Sequence, residues 1–115
     1  MANTFKLASK AGITSADIVY TVAGSTTTIV LGLMIGNTTT SQITVTVSLV
    51  SDTGNRTNAN DEVNQTVELV TNAPIPAGSS LELLAGNKVV MEATDNITVT
   101  ATGAADVALS ILEIT

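Results

Sequence analysis

At 115 residues with a net charge of −6, 12% charged residues and 2% aromatics, the chain suffices for one domain, whose core hides roughly two-thirds of the surface of the unfolded chain. Its four cations, Lys6, Lys10, Arg56 and Lys88, are too few to neutralise a run of phosphates or to hold an anionic membrane surface, so neither nucleic acid nor membrane is expected as a partner. With so few rings the core must be Val, Ile, Leu, Ala and Met, which favours closely stacked sheets over a roomy pocket for a small-molecule substrate.

The N-terminal residues 1–16 read as an arm or an edge strand, with Phe5 and Leu7 on one parity. They lack a charged segment leading into an apolar run, so no secretory leader is expected. Lys10 to Ser15 reads as a turn, and Asp17 to Val22 as a short strand that ends at Gly24-Ser25. Thr28 to Gly36 is apolar at almost every position, which predicts a strand buried on both faces or standing at an interface on one of them. Gly32, in its middle, permits a bulge or a close backbone approach.

The polar connection Asn37 to Ser41 predicts a hairpin into Gln42 to Val50. This next segment is the clearest strand of the chain: Ile43, Val45, Val47 and Leu49 alternate with Thr44, Thr46 and Ser48, the period of a strand with one buried and one wet face. A slip of one residue would turn the whole apolar row into water, so its register is firm. Ser51 to Asn64 reads as a loop or hairpin tip, and Gln65 to Thr71 as a strand. Asn72 to Gly78 contains Pro74 and Pro76, which predicts a segment that crosses between sheets or follows an edge. Ser79 to Leu84, Lys88 to Glu92, Asn96 to Ala101 and Asp106 to Ile114 complete the pattern, separated by Gly, Asn and Asp turns. The fold expected is an all-β, single-domain antiparallel β-sandwich over 1–115, jelly-roll or Ig-like, of about eight short strands.

The residues for chemistry are sparse. The chain has no His and no Cys, so neither the usual general base nor the usual soft metal ligand is available, and a nucleophile–His arrangement is impossible. Its carboxylates are scattered through turns and polar strand positions. A glycosidase-like pair would also need sugar-stacking rings, and Phe5 and Tyr20 are the only aromatics. Asn58, Asn60, Asp61 and Glu62 place several oxygens in one loop, the one motive for a carbohydrate- or calcium-binding adhesion module. Their spacing matches no calcium-loop pattern, so a solvated hairpin tip is the simpler reading. Four Asn-x-Ser/Thr triplets, at Asn37, Asn55, Asn64 and Asn96, read as composition in a Thr-rich chain. No catalytic residue, metal ligand or cofactor is therefore expected. If a trimer forms, the apolar strand Ile29 to Ile35 or the N-terminal arm Ala2 to Ala8 would supply the contact, with Ile29, Leu31, Leu33, Ile35 and Phe5 as the candidate interface residues.

From Pro74 the stretch P-I-P-A-G-S-S-L-E-L-L-A-G-N-K-V-V-M-E-A-T-D-N-I-T-V-T-A-T-G, followed by V-A-L-S-I-L-E-I, resembles small virion structural proteins of tailed bacteriophages, particularly of cyanobacteria and other aquatic bacteria. The earlier stretch I-V-Y-T-V-A-G-S-T-T-T-I-V-L-G-L-M-I-G-N is similar to the opening of such chains, so the resemblance runs from about Ile18 to Ile114. It implies a non-enzymatic sandwich or jelly-roll building block of the virus particle, made in the host cytoplasm. Within that class it favours a capsid cement or decoration protein, a homotrimer that clamps neighbouring copies of the major capsid protein on the outer capsid surface. Tail, neck and fibre-associated proteins share these sandwiches and form the alternative.

Overall fold

The computed structural model describes residues 2–51, 65–84 and 87–115. Among them run nine strands: β1 (Asn3–Ile13), β2 (Ala16–Thr21), β3 (Thr27–Asn37), β4 (Ile43–Val50), β5 (Thr66–Ile75), β6 (Ser80–Leu83), β7 (Val89–Met91), β8 (Asn96–Ala101) and β9 (Ala105–Ile114). The alternation read in 43–50 is realised in β4: Ile43, Val45 and Val47 are buried, while Thr44, Thr46 and Ser48 are half-buried on the opposite face.

All pairings are antiparallel. One sheet has the order β1-β9-β3-β6, with β7 also on β3, and the other has the order β2-β8-β4-β5. Most connections therefore pass from one sheet to the other, and of strands adjacent in sequence only β4 and β5 pair with each other. This is the connectivity of a jelly roll, the first of the two sandwich types expected. The inward parities of both sheets meet in an aliphatic core that includes Val30, Leu33, Ile35, Val45, Val47, Met91, Ile97, Val99, Leu109 and Ile111. Each fully buried Val, Leu, Ile or Met contributes about 1.5–3 kcal/mol relative to an exposed one.

The hairpin expected between the apolar strand and β4 does not form. β3 lies between β9 and the β6/β7 edge, and β4 lies between β8 and β5 in the facing sheet. Period two decides which face of a strand is buried but not which strand lies beside it, and here the polar residues after β3 turn the corner of the sandwich. Asn37 holds that corner. Its side chain is buried, and its Nδ2 donates to the carbonyls of Ser41 at 2.8 Å, Ile75 at 2.9 Å and Pro76 at 3.2 Å. Its Oδ1 accepts from the Thr39 N–H at 2.8 Å and the Thr39 hydroxyl at 2.7 Å, and its own N–H donates to the Ser79 carbonyl at 2.8 Å. One carboxamide thus ties the end of β3 to the corner loop and to the crossing from β5 to β6.

Other departures have local causes. β5 continues to Ile75 beyond the expected stop at Thr71, because an edge strand tolerates Pro74, which has no N–H to offer a further neighbour. The register slips there by a bulge at which Asn72, with φ 50°, donates its N–H to Thr46 Oγ1 at 3.0 Å. In β3 the register also shifts, between Val30 and Gly32, which is the bulge Gly32 allowed. A Cβ at Gly32 would meet nothing within 4 Å, so close approach is not the reason for this glycine. β6 and β7 lie on the same side of β3 as two pieces of one interrupted edge.

Gly103, in the turn between β8 and β9, is different: a Cβ there would come within 2.6 Å of Ile43 Cγ2. Gly103→Ala should destabilise the fold by about 1–3 kcal/mol in urea denaturation, through overpacking, while Gly32→Ala should shift the midpoint little. Asn37→Ala should cost about 1–3 kcal/mol by stranding its carbonyl partners. Asn37→Asp should cost more at neutral pH, because it sets a carboxylate against those carbonyls, and should recover on acidification.

Candidate functional site

The outward parity of the five-stranded sheet carries an apolar row. Phe5 stands opposite Leu112, Leu112 opposite Ile29, and Ile29 opposite Val90, so one hydrophobic row crosses β1, β9, β3 and β7 at right angles to the strands. Phe5 is 74% exposed, Leu7 68% and Val90 63%; Leu112 and Ile29 are half-buried within the sheet. Further along β3, exposed Met34 faces Ala108. Beside it Gly32, Ala108 and Ser110 leave a depression of about 230 Å³, walled by Met34, Glu82 and Leu83. That is below the range of about 300–1,000 Å³ typical of ligand sites.

The candidate interface residues separate by parity. Phe5 and Ile29 belong to this outer row, and Leu31 is half-buried at the bulge. Leu33 and Ile35 are 2% and 0% exposed; beyond the bulge they point into the core, so they are corrected from contact residues to packing residues. An unbroken apolar run carries no mark of which face is inward, and the shift at Leu31 reverses the parity besides. Leu7, Leu112, Val90 and Met34 complete the patch. The signal for Leu7 was its shared parity with Phe5, whereas Val90 joins only through its pairing with Ile29.

The outer face of the four-stranded sheet is more polar, although exposed Ile18 of β2 stands opposite Thr98 on it. Thr46 faces Thr100, and Ser48 faces both Thr98 and Glu68, so hydroxyls cover the middle of that sheet. The Asn58 to Glu62 cluster lies outside the described residues, and among the described ones no group of three or more carboxylates is placed to hold a metal ion.

One part-buried polar cluster joins the sheets. Tyr20 of β2 donates its hydroxyl to Glu113 Oε2 at 2.6 Å, and the buried Thr28 hydroxyl lies 2.7 Å from the Tyr20 hydroxyl oxygen. Because the phenol has a single proton, and that proton goes to the carboxylate, Thr28 is the donor in its own bond. Lys6 Nζ meets Glu113 Oε1 at 2.8 Å. Burial, and next the bond to Glu113, push the Tyr20 phenol up to about 12. Lys6, and next Tyr20, hold the Glu113 carboxyl below its ordinary value against the opposing effect of burial. Both shifts move away from neutrality, the reverse of what a working acid or base needs. The cluster is a latch between strands.

No family model matches this chain, and no curated protein matches it. Among solved structures it is similar to a protein of the disulfide-linked pili of Bacillus endospore appendages, at 15% identity and a TM-score of 0.49, over 97% of this chain and 84% of that one. It is also similar to the VP2 subviral particle of infectious bursal disease virus, at 6% identity and a TM-score of 0.49, over 96% of this chain and 32% of that one. A second structure of that virus, the Gx strain, gives 6% identity and a TM-score of 0.48 over 94% of this chain and 32% of that one. The chain therefore spans about a third of the viral chains. Likenesses at this level say nothing of what the chain does.

The latch sets a pH window. The Tyr20 value is raised in the fold, so its contribution to stability is complete below the unfolded value near 10 and is lost as pH climbs toward 12. The Glu113 value is lowered, so its contribution is present above 4.5 and is lost as pH falls below that. Tyr20 is the only tyrosine and the chain has no tryptophan, so tyrosinate absorbance reports this one group. Its midpoint should lie near 12 in the folded protein, and should move down in Glu113→Gln, which removes the charged acceptor.

Proposed function

We propose that this chain is a non-enzymatic structural protein of a tailed-phage particle, namely a capsid cement or decoration protein. It binds the outer capsid surface and stabilises contacts between copies of the major capsid protein. The observation that carries the reading is the apolar outer row Phe5, Leu112, Ile29 and Val90 with Leu7 beside it. An apolar row on an outer face, exposed at Phe5, Leu7 and Val90 and half-buried between them, suits contact with another macromolecule. The phage particle as the setting follows from the resemblance of residues 18–114, on which the placement at the capsid also depends.

The physical demands of cementing agree with this chain. A pre-folded sandwich has little ordering entropy left to lose on binding. A patch with Phe5 as its only ring offers no deep anchor, so affinity must be spread over many copies on a repeating lattice. The net charge of −6 keeps unassembled copies apart in solution.

Heads stripped of this protein should rupture at lower temperature and under milder osmotic shock than intact heads, and re-addition should restore them. Equal resistance of stripped and intact heads would overturn the reading. A copy number far below that of the major capsid protein, from a quantified gel of purified particles, would move the protein to the tail, neck or fibre.

A further inference from the structure

Strand β1 is an edge, and the direction of its free main-chain groups can be read. Ala2 and Thr115 exchange both bonds, Ala2 N–H to the Thr115 carbonyl at 3.1 Å and Thr115 N–H to the Ala2 carbonyl at 2.9 Å. This marks the even-numbered residues of β1 as the narrow pairs with β9, through the continuous register from Asn3 to Lys10. The odd residues Asn3, Phe5, Leu7 and Ser9 therefore turn their N–H and C=O groups away from β9. Among the described residues no other strand pairs with β1. The side chains of Phe5 and Leu7 stand on the outer face, in line with Leu112 and Ser110, so free backbone and apolar surface belong to the same residues.

Long edges are normally guarded by charge, above all by lysine. β1 has Lys6 and Lys10, but both lie on the even, inward parity and both are engaged within their own chain, with Glu113 at 2.8 Å and Asp17 at 3.5 Å. Moreover β1 has no carboxylate, whereas the edge strands β2, β5 and β6 contain Asp17, Glu68 and Glu82. In a chain of charge −6, this edge is where two copies meet with least repulsion.

We propose that β1 pairs antiparallel with β1 of a second copy across a two-fold axis, joining the five-stranded sheets of two protomers into one continuous sheet. Parity requires odd residues to face odd residues. A register centred on Lys6 would set that cation against the partner's Lys6. The register centred on Leu7 sets Leu7 against the partner's Leu7, Phe5 against the partner's Ser9 and Lys6 against the partner's Ala8. It brings no like charges together and uses the whole regular part of the strand, up to the shift after Lys10. Such a contact is isologous, so it closes at two copies; a trimer, as the resemblance implies, would need two different surfaces. The seam rests on the edge alone and not on placement in a virion.

The test is the solution mass of the purified full chain, by light scattering behind a sizing column over a dilution series. Expected is twice the chain mass of 11.7 kDa, falling to one chain mass in Leu7→Pro and in Leu7→Lys with far-UV spectra unchanged. Leu7→Pro removes an N–H that points into the seam while sparing the bonds to β9; Leu7→Lys keeps the backbone and places like charges at the centre of the seam. Should the proline variant fail to fold, the lysine variant decides alone. A monomeric or trimeric wild type, or a dimer that a folded variant leaves intact, overturns the proposal. Since the reading is made on isolated protein, its failure would leave the capsid reading standing, and failure of the stripped-head experiment would leave the seam standing.

Discussion

The Asn37 carboxamide is the point on which the arrangement of the sheets depends. It sits at a corner where the chain changes direction, and of the three main-chain carbonyls it holds, that of Ile75 is in a buried bond and those of Ser41 and Pro76 are in part-buried ones. Buried carbonyls without partners are costly, and no apolar residue at this position could supply both donors and an acceptor. With the corner satisfied, β3 and β4 lie in different sheets and the remaining strands find neighbours from distant parts of the sequence.

That distance explains the character of the core. Nearly all ladders join segments far apart in the chain, such as β1 with β9 and β2 with β8, so no local unit can bury its own apolar face. The side chains that meet are mostly branched aliphatics, which interdigitate closely but offer no hydrogen bonds. Orientation is supplied by the few polar groups at the ends of the sandwich: Asn37 at one corner, and at another place between the sheets the Tyr20, Thr28, Glu113 and Lys6 latch.

The fold class and most strand positions were legible because period-two patterning and turn residues act locally. β4 is the clearest instance, and the proline segment was read as a crossing or a run along an edge, of which β5 takes the edge for four residues beyond its apolar pattern. Strand neighbours were not legible. The polar run after β3 reads equally well as a hairpin loop or as a corner, and the choice is made by Asn37 contacts with residues 38 or 39 positions away. The candidate contact residues were legible in the same partial sense. Phe5 is exposed and Ile29 half-buried on the outer face, while Leu33 and Ile35 are turned inward by one bulge that no local pattern announces. Leu112 and Val90 acquire meaning only when the register sets them in line with Ile29.

The two broad faces of this sandwich differ: one carries an aliphatic row with Phe5 at its edge, while the middle of the other is covered by Thr46, Ser48, Thr98 and Thr100 between Ile18 and Glu68, with no lysine or arginine among its described strands. Domains laid side by side with the aliphatic face toward a support would turn that support into a hydroxylated coat. Such a coat binds water through neutral groups, so its wetting would change little with salt, and it would give polyanions nothing to hold.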